Sequence, residues 1–304
     1  MQCTDSDLTE PWWQQALRHT SRSDYTVVDG TRLHYRCWEP ADPGQPLLLF
    51  AHGYRGNSHW WDWIAPSFTD RFRVAALDFS GMGASDTRRE YTSESFAQDL
   101  LGVLAALGGN NATVVGHSIG GAFLLHACAI DSERSDEQFP DKAIGHAIVI
   151  DSWVRFPERD VQPQPRKIGA SDPYPSFAAA RARYQLRPPQ PTAIEPLIEH
   201  LAHHSIREVA GGWRWCFDPA LPFAPNHADG AALLRRISTA VDVVYGERSS
   251  VIDSRRAANM VDCMRRARGP IAVPEAHHHV MLDQPLALIA LLRTLLANNH
   301  MKLL

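Results

Sequence analysis

The chain has 304 residues, 44% of them hydrophobic, enough for one large α/β domain or a domain with an insertion. A net charge of -4 and a pI of about 6.4 leave no basic surface for nucleic acid or an anionic membrane. No apolar run approaches the roughly 20 residues that span a bilayer, the stretch Met1–Asp7 is polar, and the five cysteines (Cys3, Cys37, Cys128, Cys216, Cys263) have neither metal spacing nor an even count, so a soluble, reducing, cytoplasmic setting without membrane insertion is expected.

Residues 1–22 read as peripheral, with Trp12 and Trp13 packing an N-terminal helix onto the body. Tyr25–Val28 and Leu33–Trp38 alternate in polarity around Asp29-Gly30, a strong hairpin signal. Leu47–Phe50 is a continuous apolar run that suits a strand buried on both faces, and it ends in Ala51-His52-Gly53-Tyr54-Arg55-Gly56. A helix start near Ser58 follows, carrying Trp60, Trp61 and Trp63, which read as core more readily than as pocket. The next strand, Arg73–Leu77, runs into the glycine- and serine-rich turn Asp78–Asp86, and a helix covers about 93–107. A strand at 113–115, a helix to about Ile130, a charged loop at 131–142 and a buried strand at 147–150 come next. Downstream, strands at 241–245 and 271–273 flank a helix at about 253–267, and a last helix covers about 285–297. Strands alternating with helices imply a parallel sheet with helices on both faces.

The segment from Asp151 to about Ala231 breaks that rhythm. It is proline-rich, with helical stretches near 175–186 and 193–207 and no clear strand. Trp153, Phe156, Phe177, Trp213, Trp215 and Phe217 argue against a disordered linker. The expected organisation is a core domain of residues 1–151 and 232–304 with a helical cap, 152–231, inserted between two strands. Trp153, Trp213 and Trp215 fit either an apolar substrate pocket or packing of the cap on the body.

The stretch that organises the chemistry is Thr113-Val114-Val115-Gly116-His117-Ser118-Ile119-Gly120-Gly121. It fits G-x-S-x-G between a strand and a helix, the context in which that motif carries meaning. A serine at the tip of so sharp a turn crowds both sides, and glycines two positions before and after it relieve the crowding. The turn lifts the hydroxyl clear of the sheet and aims the Ile119 N–H and the positive helix end at the space above Ser118. A serine hydroxyl needs a base at neutral pH, and Pro274–Pro285 offers His277, His278 and His279. Three consecutive histidines on one extended loop cannot all face one metal, so a metal site there is not expected.

The elbow, the His52-Gly53 loop, the Asp78–Asp86 turn and the late histidine loop, in this order, resemble the α/β-hydrolase superfamily from about residue 24 to 297. That resemblance implies a mostly parallel eight-stranded sheet, a cap, a Ser-acid-His triad and no cofactor. The family's spacing, five residues before the aspartate of Leu282-Asp283-Gln284-Pro285, selects His278, with His277 and His279 a one-residue shift away. The family's usual acid position, three residues after Gly246, holds Ser249, which cannot act as an acid. Asp151, at the end of the strand Ile148-Val149-Ile150, is a place where some subfamilies put the acid, with Glu247 and Asp253 as alternatives. The second oxyanion-hole N–H, beside Ile119, is implied to be Tyr54, with Gly53 admitting the substrate and His52 bracing the loop. Asp78 and Asp86 fall in a structural turn. The expected activity is hydrolysis of a carboxylic ester or lactone of a small, fairly apolar molecule through an acyl-enzyme on Ser118, by a monomer or homodimer. Hydrolysis of a carbon–carbon bond in a dione is the alternative chemistry, and a small-molecule binding protein on the same fold is the alternative outside catalysis. Epoxide hydrolases and haloalkane dehalogenases use an aspartate nucleophile, against which Ser118 counts.

Overall fold

The computed structural model describes residues 10–40, 42–134, 142–156, 172–191, 194–222 and 229–300. Cys3, most of the charged loop at 131–142 and Pro157, Pro163, Pro165 and Pro225 of the proline-rich segment fall outside these residues.

Helix α1 (Trp12–Leu17) leads into strands β1 (Ser21–Val28) and β2 (Thr31–Trp38), which form the expected hairpin. Its turn residues Asp29 and Gly30 both have positive φ, 47° and 75°, the backbone that a tight two-residue hairpin turn requires. Trp12 and Trp13 pack against the core, as the sequence suggests. Strand β3 (Leu47–Ala51) is buried throughout. Two short 3-10 turns, Ser58–Trp61 and Ala65–Phe68, lead to β4 (Arg73–Leu77). Helix α2 (Ser93–Ala106) starts on a capping box, in which the Thr92 hydroxyl accepts from the Ser95 N–H and the Ser95 hydroxyl from the Thr92 N–H, both at 3.0 Å. Strand β5 (Ala112–His117), helix α3 (Ile119–Arg134) and strand β6 (Ile144–Ile150) follow.

The chain then leaves the sheet. Helix α4 (Phe177–Arg181) and helix α5 (Glu195–His204) precede strands β7 (Ile206–Val209) and β8 (Gly212–Trp215), which pair with each other as an antiparallel ribbon. This ribbon corrects the sequence reading, which finds no strand there and extends the helix to 207. The turn runs through Gly211 and Gly212, with φ of 85° and 143°. Trp213 packs on Phe177 and Trp215 on Tyr174, ring centroids 5.4 and 5.8 Å apart, so these aromatics hold the segment together. Helix α6 (Gly230–Arg235), β9 (Ala240–Gly246), α7 (Ser254–Cys263), β10 (Ala267–Val273), α8 (Val280–Asp283) and α9 (Pro285–His300) return the chain to the body.

The main sheet has eight strands in the order β1-β2-β4-β3-β5-β6-β9-β10. Strand β2 is antiparallel to its neighbours β1 and β4, and the pairs from β4 through β10 are parallel. Two apolar cores cover its two faces. One holds Phe79, Phe96 and Phe123 under α2 and α3. The other holds Phe50, Trp61, Trp63 and Phe68, with both tryptophans fully buried. Trp60 differs from its neighbours and is half-buried at the carboxyl edge of the sheet. No helix among the described residues is long and apolar enough to cross a membrane.

Candidate active site

The central strands β5 and β6 both end at one edge of the sheet, where a parallel α/β sheet gathers its functional groups. Ser118 follows β5 directly, with φ at 55°. A side chain in that region costs about 1–3 kcal/mol, and such strain collects at functional positions. Main-chain bonds hold it: Ser118 N–H donates to Ile150 O at 2.9 Å, and Ser118 O accepts from Gly121 N–H at 3.0 Å. The glycines of the elbow are needed for close approach. A Cβ on Gly120 would lie 2.2 Å from the His52 carbonyl oxygen, and one on Gly116 would lie 2.7 Å from the Gly121 Cα. Neither obstacle is a movable side-chain tip. Gly120→Ala should therefore cost about 3 kcal/mol, and a urea midpoint equal to wild type would contradict this packing.

Asp151 follows β6, is fully buried, and also has a positive φ, 48°. Its Oδ1 lies 2.6 Å from His278 Nδ1. Its Oδ2 accepts from Gly246 N–H at 2.8 Å. The Ser249 hydroxyl donates to Oδ1 at 2.6 Å, while its oxygen accepts from Val251 N–H at 3.0 Å. The residue standing at the family's usual acid position thus hydrogen-bonds Asp151, at the end of the neighbouring strand. Glu247 and Asp253 lie elsewhere: Glu247 accepts from Glu275 N–H at 3.0 Å, and Asp253 caps α7 through Arg256 N–H at 2.8 Å.

The three consecutive histidines have separate surroundings. His277 Nδ1 and main-chain N–H both meet Asp283 Oδ2, at 2.8 and 2.7 Å, which fixes the loop. His278 is 3% exposed and is the one beside Asp151. With Nδ1–H donating to Asp151, its Nε2 is the nitrogen left to accept a proton. His279 lies under Trp60, ring centroids 5.1 Å apart, and burial followed by the neighbouring His278 pushes it down to about 3.

His117, the variable residue before Ser118, has a role that the motif does not announce. Its Nε2–H donates to the His278 carbonyl at 2.9 Å, tying the elbow to the histidine loop. Burial first, then the facing His278 and His279, hold it far below the ordinary imidazole range, so it stays a neutral strut. The adjacency of β5 to the histidine loop, which would have revealed this, is not readable from one sequence.

Ser118, His278, His279, His117, Trp60, Tyr54 and Gly53 line one hollow with Arg187 from the inserted segment. It measures about 20 Å³, little more than a water site. Ile119 is the first residue of α3, so its N–H belongs to a helix N-terminus. Tyr54 sits in a turn closed by Gly56 N–H to Gly53 O at 3.0 Å, and its phenol donates to Leu221 O at 3.1 Å. His52 braces this turn: Nδ1–H donates to Gly53 O at 2.7 Å, and Nε2 accepts from Phe79 N–H at 3.2 Å. Asp78 accepts from Ser58 N–H and Ala84 N–H and meets His34, a buried structural knot as expected. Burial alone would raise its carboxyl, but His34, then His52 and the Ala84 N–H, bring it down to about 2. Trp153, Trp213 and Trp215 are not among the residues that line the hollow. A larger surface hollow of about 360 Å³, near Glu133 and Arg236, shares no residue with the site, and the salt bridge between those two residues lies in it.

Residues 48–291 match the family model described as the Alpha/beta hydrolase family. The chain is 26% identical over 262 residues to the esterase Rv0045c of Mycobacterium tuberculosis, covering 83% of each protein. It is 26% identical over 247 residues to the 2-(acetamidomethylene)succinate hydrolase of Mesorhizobium japonicum, covering 77% of this chain and 82% of that one. The solved structure of the Mycobacterium esterase superposes with a TM-score of 0.71 at 22% identity, over 97% of this chain and 100% of that one. At that identity the superposition speaks for the fold alone.

Proposed function

The chain belongs to the alpha/beta hydrolase family, and we propose that it is a serine hydrolase that cleaves a carboxylic ester or lactone of a small molecule through an acyl-enzyme on Ser118. The observation that carries this reading is the 2.6 Å contact between His278 Nδ1 and Asp151 beside a serine held at positive φ. In this reading His278 Nε2 takes the Ser118 proton as Oγ attacks the carbonyl carbon. Negative charge moves to the carbonyl oxygen, where the N–H groups of Ile119 and Tyr54 receive it. The leaving alkoxide takes the proton from His278, and a water deprotonated by His278 then releases the acid. Asp151 positions the ring and stabilises the imidazolium, and Ser249 and Gly246 hold Asp151 in turn. No step needs a cofactor.

Residues 152–231 serve as the cap in this account. Support comes from their departure between β6 and β9 and from Arg187, which they place against the hollow. The small hollow implies that the segment moves to admit substrate. The described cysteines Cys37, Cys128, Cys216 and Cys263 are free thiols, which suits a reducing setting.

A fluorophosphonate probe tests the nucleophile directly. One adduct per chain, mapping to Ser118 and absent from Ser118→Ala, is expected. An adduct elsewhere, or none on folded protein at millimolar probe, would overturn the assignment.

A further inference from the structure

A second group of polar side chains lies where the inserted segment meets the body. His59, Asp62, His200 and His204 bring their ligand atoms within 4.8 Å of one another. His59 belongs to the 3-10 turn that also carries Trp60, and Asp62 follows it. His200 and His204 stand four apart on α5, which puts them on one face of that helix. The two halves of the cluster are separated by 138 residues.

One carboxylate oxygen is the shared centre of the group, at ordinary hydrogen-bond distance from two of the rings. Asp62 Oδ2 lies 2.8 Å from both His59 Nδ1 and His200 Nε2. The His204 ring stacks on His59 at 3.6 Å and meets His200 at 4.5 Å. Arg36 bonds the other oxygen, Oδ1, and so aims Oδ2 at the histidines. Imidazole nitrogens and one carboxylate oxygen at such spacing suit a zinc-like divalent cation, and a partner on the second oxygen is the usual outer support of a ligating carboxylate.

We propose that Asp62, His200 and His204 bind one divalent transition-metal ion, which pins the inserted segment to the body. Solvent completes the tetrahedron. The His59 and His204 rings are within 7° of parallel, so one ion cannot lie in both ring planes. His59 Nδ1 is also engaged by Arg36 at 2.9 Å. His204 is therefore the ligand of the pair, and His59 stacks on it as its support. The role is structural, since the ion holds α5 against the turn that carries Trp60.

Tag-free protein titrated with Co²⁺ tests the proposal. Wild type should bind about one equivalent with the visible absorption of a tetrahedral site. His200→Ala should weaken binding more than about 100-fold, since loss of even an outer partner costs 10–100-fold. His204→Gln, which retains the size and polarity of the site, should do the same, and both variants should lose the upward shift in melting temperature that Co²⁺ gives wild type. The competing location is the buried trio His117, His278 and His279, so His279→Ala should retain the Co²⁺ spectrum. Loss in both α5 variants with retention in His279→Ala supports the site. Any other combination, or no stoichiometric binding by wild type, overturns it.

Discussion

An Asp151→Asn variant should fold and lose about 10³–10⁴-fold in kcat. Asp151 Oδ2 accepts from Gly246 N–H, while Oδ1 faces His278 Nδ1 and the Ser249 hydroxyl. In the amide the carbonyl oxygen must keep the Gly246 bond, because an NH₂ there would oppose another donor. The NH₂ then faces His278 Nδ1. That ring nitrogen becomes an acceptor, the proton moves to Nε2, and His278 can no longer take a proton from Ser118. Ser249 supplies a second half to this test. A carboxylate at 249 would stand where the hydroxyl now lies, 2.6 Å from the Asp151 oxygen that meets His278. Ser249→Asp placed on Asp151→Asn should recover about tenfold or more in kcat, with the pH profile of wild type returning. Glu247→Gln and Asp253→Asn should leave kcat within about twofold, since neither side chain reaches the site. Full activity in Asp151→Asn, or a large loss in Glu247→Gln, would move the acid to the later strand.

On the proposed mechanism Ser118→Ala should have the largest effect, about 10⁶-fold in kcat, because it removes the attacking oxygen on which every other group acts. The same position reports on strain. Both serine and alanine carry a Cβ at φ of 55°, where a side chain crowds the following carbonyl. Glycine does not. Ser118→Gly should therefore be as inactive as Ser118→Ala but about 1 kcal/mol more stable. Equal urea midpoints for the two variants would show that the elbow stores no strain at this residue.

The elbow was readable because its constraints are local. A strand, two spaced glycines and an unbroken helix define the turn, and atoms within a few residues provide the crowding. The Asp29-Gly30 hairpin was readable for the same reason. Asp151 is legible by a different route, through the absence of an acid at Ser249 and its place at the end of an apolar strand. What stayed hidden depends on pairs distant in sequence. Ser249 hydrogen-bonds a residue 98 positions away, His117 one 161 away, and Asp62 a histidine 138 away. The ribbon of β7 and β8 is illegible for a local reason. Ile206-Arg207-Glu208-Val209 has no clean alternation, and the preceding helical periodicity runs straight into it, leaving Gly211-Gly212 as the sole signal. The tryptophans at 60–63 divide between core and site: Trp61 and Trp63 are buried, and Trp60 lines the hollow. Composition cannot tell them apart, because the difference lies in which way one short turn faces.

The most direct test of the central claim is p-nitrophenolate release from a p-nitrophenyl ester series, acetate to octanoate, by wild type and Ser118→Ala. Sustained turnover by wild type is expected, with turnover at the uncatalysed rate in the variant. Turnover that survives in Ser118→Ala, or a folded wild type that turns over no ester in the series, would contradict it.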